Sequence, residues 1–179
     1  MTTGAETVLG RFAMQLAIFA VVTAVAWVTP TLAGTEPKIG HVTNLPLPRF
    51  VSLKANEGNV RRGPSLSHRI DWVFVRRNMP LRVIAEHGHW RKVVDPEGAT
   101  GWIHYALLSG TRTVLVNENL LEIKDSVYDD GRVVARLEKD VVARLRQCTP
   151  SQCRIVAGGY KGWAPKSALW GVLPDELRD

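Results

Sequence analysis

Cys148 and Cys153 are the two cysteines of this 179-residue chain, and their spacing carries its plainest chemistry. Thr149, Pro150, Ser151 and Gln152 lie between them, and the β-branched stretches 141–145 and 154–157 flank them. Two strands joined by a Pro-containing loop form a hairpin. The residues flanking the loop then face each other within the roughly 4.4–6.8 Å Cα separation that a disulfide needs. A zinc site needs four ligands, and no other Cys or His lies in residues 113–179. A catalytic thiol would be consumed by oxidation with its neighbour. The pair is expected to be a structural staple.

Other reactive side chains are sparse. His87, His89 and His104 fall near one another in sequence. A metal site there is conceivable, but a solvated hairpin tip and a turn histidine account for the same residues. Ser65 follows Pro64 in a turn and has no evident base. The chain has no Gly-rich phosphate loop, no Cys-x-x-Cys and no His-Glu-x-x-His. No catalytic residue, metal ligand or cofactor is expected, and the chain reads as a non-enzyme.

The elements around these residues begin with an export signal. Residues 12–28 carry no charge, Arg11 precedes them and Pro30 closes them. Leu32 and Ala33 then lead into Gly34, and cleavage is expected between Ala33 and Gly34. The alternative is an uncleaved inner-membrane anchor, since the run approaches the roughly 20 residues a span needs. Either way the body is exported, to the periplasm in the first reading and facing it in the second. In that oxidising compartment the cysteines should bridge. Residues 34–48, broken by Pro37, Pro46 and Pro48, read as a flexible tether.

From residue 49 onward the chain repeats itself at a separation of 61 residues, and each copy closes on a Gly-Trp pair, Gly101-Trp102 and Gly162-Trp163. Two tandem domains are expected, 49–112 and 113–179. Strands four to seven residues long with turns every 8 to 12 residues argue for small all-β barrels, with helix confined to single turns after each Trp. In copy one the strands fall near 50–54, 59–61, 70–75, 81–86, 90–94 and 100–103. Copy two is expected to open on one strand over 115–121. Net charge is +6, and it stays +6 without residues 1–33, which hold only Arg11 and Glu6. Affinity for an acidic polymer would fit. Dispersed doublets such as Arg61-Arg62 and Arg91-Lys92 fit a solvated basic surface better, and no nucleic-acid partner is expected.

Asn59, Val60, Arg61, Gly63, Pro64 and Ser65, then Val83 to Glu86 with Trp90, then Gly101, Trp102, Ile103 and His104, resemble the bacterial Src-homology-3-like domain. Copy two is similar but diverged: Leu121, Glu122 and Ile123 stand for Val-Arg-x, and Cys153 stands for Trp90. The resemblance implies two Src-homology-3-like barrels and a role in binding peptidoglycan or short peptides. Barrels of this kind take extended peptides in shallow aromatic grooves. In copy one the implied wall is Trp90, Trp102 and Tyr105, with Arg61 and Asp71 as polar candidates. Trp90 and Trp102 could equally fill the core, in which case Trp102→Ala would cost about 3–5 kcal/mol. Copy two is expected to have lost its groove to the disulfide. Two functions follow from the resemblance: a binding module for the cell wall or a periplasmic peptide, or a periplasmic scaffold making protein contacts only.

Overall fold

Strands of two to eight residues, separated by turns, make up almost all the regular structure of the computed structural model, which describes residues 38–179. In chain order they are β1 (Lys38–Ile39), β2 (Pro46–Leu47), β3 (Arg49–Leu53), β4 (Gly58–Arg61), β5 (Ile70–Phe74), β6 (Pro80–His87), β7 (Trp90–Val94), β8 (Thr100–His104) and β9 (Leu108–Ser109). The second series is β10 (Thr113–Val116), β11 (Leu121–Lys124), β12 (Val133–Leu137), β13 (Val142–Cys148), β14 (Gln152–Ala157), β15 (Tyr160–Pro165) and β16 (Leu169–Trp170). Single 3-10 turns, Tyr105–Leu107 and Lys166–Ala168, follow β8 and β15. The expected signal segment, with Ala33 and Gly34, lies outside the described residues.

The repeat is structural. The first sheet runs β5-β4-β8-β7-β6-β3-β9 and the second β12-β11-β15-β14-β13-β10-β16, the same order position by position. Bulges recur at matching places, between Val60 and Arg61 and between Ile123 and Lys124. Each copy closes on its own apolar core. Leu53, Val60, Leu81, Val83 and Ile103 are fully enclosed in the first, and Val114, Val116, Ile123 and Ile155 in the second. The Gly-Trp pair has a steric cause. A methyl group at Gly101 would overlap Val60 Cγ1, and one at Gly162 would sit 2.9 Å from Ile123 Cβ. Only glycine lets these strands cross so closely.

Register corrects the alignment read from sequence. Trp102 lies opposite Arg61 and Lys92, and Trp163 lies opposite Lys124 and Arg154. Lys124 is thus the counterpart of Arg61, so Glu122, Ile123 and Lys124 correspond to Asn59, Val60 and Arg61. By the same register Cys153 stands where copy one has Arg91, and Gln152 where it has Trp90. Glu86 faces Arg91 as Cys148 faces Cys153. The expected strand over 115–121 is also two strands. Asn117 N–H donates to Ala168 O at 2.9 Å, and Leu120 takes a positive φ of 54°, which turns the chain between β10 and β11.

Residues 38–48 are not a flexible tether. β1 pairs with β2, Leu47 enters the first core, and the turn between them closes over Glu86. The Glu86 side chain is fully enclosed. It accepts hydrogen bonds from Val42 N–H and Thr43 N–H at 3.0 Å, from Thr43 Oγ1 at 2.6 Å and from Arg49 at 2.7 Å, and Arg91 lies 3.6 Å away. Proline breaks strands but did not prevent this hairpin, because the carboxylate supplies the acceptors that its turn requires.

Copy two has its own terminal clasp. Cys148 N–H donates to Arg178 O and Arg178 N–H to Cys148 O, at 2.8 and 3.1 Å. Arg112, which corresponds to Arg49, pairs with Glu176 at 2.7 Å, and buried Lys166 donates to Glu176 O at 2.6 Å. The cysteines form a disulfide with a Cα separation of 4.1 Å. The two sheets also touch. Phe50 packs edge-on against Trp170 at 5.3 Å, Arg82 lies over the Trp170 ring at 5.1 Å, and Thr113 Oγ1 donates to Asn78 O at 2.7 Å.

Burial alone would raise the Glu86 pKa, but the hydrogen bonds from Thr43, Arg49 and Val42 outweigh it and hold the carboxyl at about 2. A folded value below the unfolded one means stability that is complete above about pH 4.5 and lost as pH falls toward 2. That term is on the order of 3 kcal/mol. Glu86→Gln should cost about 3–5 kcal/mol at pH 7, because two arginines lose their buried counter-charge. Urea denaturation between pH 7 and 2 checks both, and the variant should show the flatter profile. An identical acid profile in both proteins would contradict the assignment. For the disulfide, alkylation without reduction should label neither cysteine, and reduction should lower stability by on the order of 2 kcal/mol.

Candidate ligand-binding face

Residues opposite one another in antiparallel strands share a face. Arg61, Trp102 and Lys92 therefore form one row across β4, β8 and β7 on the side away from the core. Trp90 and His104 form the next row, with the Trp90 ring edge-on to the imidazole at 5.4 Å. Trp102 is half-buried and lies outside the apolar core. The core reading of Trp102 is corrected: Ile103 points inward beside it, so strand alternation sends the indole outward. Trp90 shares that outer face although it is only 8% exposed.

Tyr105 stands at the end of this face and is 49% exposed. Its ring lies 4.9 Å from His104 and 5.5 Å from His89, with the Arg91 guanidinium 5.9 Å away. His89 and His104 come together as tilted rings with centroids 5.8 Å apart. Among the described residues no three His, Cys, Asp or Glu side chains are placed to hold a metal.

Arg61 holds the 62–69 loop. Its Nη1 donates to Leu66 O at 3.0 Å and to His68 O at 2.6 Å. Lys124 does the same in copy two, donating to Asp129 O at 2.6 Å. These cations shape the loop wall with their polar ends and flank the Trp with their stems. Asp71 is engaged by Arg69 at 2.7 Å and Arg62 at 3.5 Å, and the Arg69 hydrogen bond holds its carboxyl below the usual range.

Copy two keeps the row. Lys124, Trp163 and Arg154 repeat Arg61, Trp102 and Lys92, and the Arg154 guanidinium lies 5.9 Å from the Trp163 ring. Trp163 lines a cavity of about 230 Å3 with Lys124, Asp129, Gln152 and Pro165. The disulfide did not remove a groove here. Cys153 points to the core, and the outward position corresponding to Trp90 belongs to Gln152, a smaller side chain. Sequence reading missed Lys92, Lys124, Gln152 and Arg154 because only register reveals what flanks each Trp. The repeated Gly-Trp was the available signal for Trp163.

The sequence profile of the bacterial SH3 domain matches residues 54–110 and 128–171. The chain belongs to the bacterial SH3 domain family. Domains of this family are generally binding modules, commonly for the cell wall. Two solved structures are similar to the chain, those of NlpC1 and NlpC2 from Trichomonas vaginalis. Each is 14% identical with a TM-score of 0.33; the matches cover 73% and 69% of this chain and 48% of either structure. The chain thus spans about half the length of those proteins. No curated protein sequence matches it. Among the described residues no helix is long and apolar enough to cross a membrane.

With Trp102 on the outer face, Trp102→Ala should cost about 1–2 kcal/mol of stability, below the roughly 3–5 kcal/mol of a core aromatic. Urea denaturation of the variant measures this. A loss above about 3 kcal/mol would return the indole to the core.

Proposed function

We propose that the chain is an exported, non-enzymatic binding module that recognises peptidoglycan or an extended peptide at the cell envelope. The observation that carries this reading is the row of cation, Trp and cation on the outer face of both SH3 sheets. A half-buried indole between two long cationic stems offers an apolar platform with polar margins. Such a surface suits a peptide that brings both methyl groups and carboxylates. The uncharged run 12–28 and the small residues before Gly34 support export, and the disulfide fits an oxidising compartment.

Binding to purified peptidoglycan sacculi tests this. The full chain should be retained through a high-salt wash, because apolar contact at the indoles survives screening. Trp102→Ala combined with Trp163→Ala should weaken retention by about tenfold, equivalent to roughly 1.4 kcal/mol for lost aromatic anchors. No retention of the folded wild type would turn the assignment toward a protein partner. Undiminished retention of the double variant would sink the proposed face.

A further inference from the structure

A second feature of the outer surface is a concentration of positive charge on the second SH3 sheet. Arg144, Arg146, Arg154 and Lys161, from β13, β14 and β15, line an open cavity of about 460 Å3, and Arg112 and Arg178 close its margins. Register explains the clustering. Arg144 lies opposite Val156, which lies opposite Lys161, while Gln147 lies opposite Arg154 in the neighbouring row. Neighbouring strands are about 4.8 Å apart, and successive same-face residues about 6.5–7 Å apart. The cations therefore form a two-dimensional array, with Arg154 diagonal to Arg144 and Lys161 at backbone spacings of about 8 Å, and Arg144 and Lys161 about 10 Å apart across two strands.

Their charges are largely uncompensated. Arg112 has Glu176. Among the described residues no carboxylate pairs with Arg144, Arg146, Arg154, Lys161 or Arg178. Arg178 Nε donates to Arg146 O at 3.1 Å, and Arg154 donates to Gln147 Oε1 at 3.3 Å, both neutral acceptors. The Nε atoms of Arg112 and Arg154 are buried without a hydrogen-bond partner. Asp179 is the one acidic side chain on the cavity wall. Six arginines elsewhere find acids: Arg49 and Arg91 with Glu86, Arg62 and Arg69 with Asp71, Arg132 with Asp125, Arg136 with Glu122; Arg61, Arg76, Arg77 and Arg82 stand singly and are not gathered in one cleft. Like charges gathered this closely repel, and a multiply charged anion relieves the repulsion.

We propose that this cleft binds an anion carrying two or more linked phosphate groups. A carboxylate brings one charge and two acceptor oxygens, too few for five unpaired cations. Linked phosphates bring several charges at short spacing, and each offers oxygens that the planar guanidinium fork meets in pairs. The same chemistry is found in a soluble phosphate ester and in the phosphates of a lipid headgroup. The cleft is separate from the aromatic row of the first sheet and shares Arg154 with that of the second, so its test uses Arg144 and Lys161, which lie outside both rows.

The test uses the full chain and two charge-matched variants, Arg144→Gln with Lys161→Gln inside the cleft, and Lys54→Gln with Lys139→Gln outside it. Titration calorimetry with sodium tripolyphosphate should give saturable binding at least about tenfold tighter than orthophosphate. The cleft variant should lose it by about tenfold or more, and the outside variant should keep it. Flotation with cardiolipin vesicles, whose headgroup links two phosphates through one glycerol, compared with phosphatidylcholine vesicles, separates the sources. Cleft-dependent flotation without tripolyphosphate binding assigns a lipid headgroup, and tripolyphosphate binding without flotation assigns a soluble ligand. Equal losses in both variants would reduce the effect to diffuse charge and overturn the site. So would the absence of both tripolyphosphate binding and cardiolipin-dependent flotation in the wild type.

Discussion

A carboxylate that is fully enclosed yet ionised sets the organisation of the first half of this molecule. Glu86 sits on an inner strand and gathers donors from the β1–β2 turn, from Arg49 and from Arg91. An isolated buried charge would be prohibitively costly, so the hairpin that satisfies it cannot detach without exposing or orphaning it. Burial also draws the Arg91 guanidinium below its ordinary value, against the opposing pull of Glu86. Residues 38–48 are held to the barrel by these charged hydrogen bonds together with Leu47, which is buried in the first core.

The second half solves the same problem with different chemistry. Where copy one places Glu86 opposite Arg91, copy two places Cys148 opposite Cys153, and a covalent bond replaces the ion pair. The terminal segment still docks at that strand, now through backbone hydrogen bonds between Cys148 and Arg178. Arg49 and Arg112 keep equivalent places and each finds a carboxylate, Glu86 in one copy and Glu176 in the other. Two copies of one frame have thus solved one cross-strand position differently. The outer-face Trp survives in both, with a cation on either side of it in each.

Much of this was legible in the chain. The Gly-Trp pairs revealed the repeat because close strand crossing leaves room only for hydrogen at Gly101 and Gly162. The cysteine spacing revealed the hairpin because loop length fixes which residues face each other. Other features were not legible. Prolines in residues 34–48 signal broken structure, and nothing local announces that Glu86, some forty residues on, will capture the turn. The copies differ in the lengths of two loops, so a single sequence offset misplaced Cys153 and Lys124. Strand pairing decides which side chains point outward together, so the outer position of Trp102 and the clustering of arginines spread along the chain become visible only once the strands are paired.

The equivalence of Glu86–Arg91 and Cys148–Cys153 can be measured directly. In the full chain, Glu86→Cys combined with Arg91→Cys places thiols at the first-barrel counterparts of the native bridge. After air oxidation, mass spectrometry of the alkylated, proteolysed protein should find two separate disulfides, Cys148–Cys153 and the new 86–91 bridge. The turn around residues 40–44 should become readily cleaved by protease, since its carboxylate is gone. Two alkylated thiols at 86 and 91 in a folded protein would contradict the shared register and the account built on it.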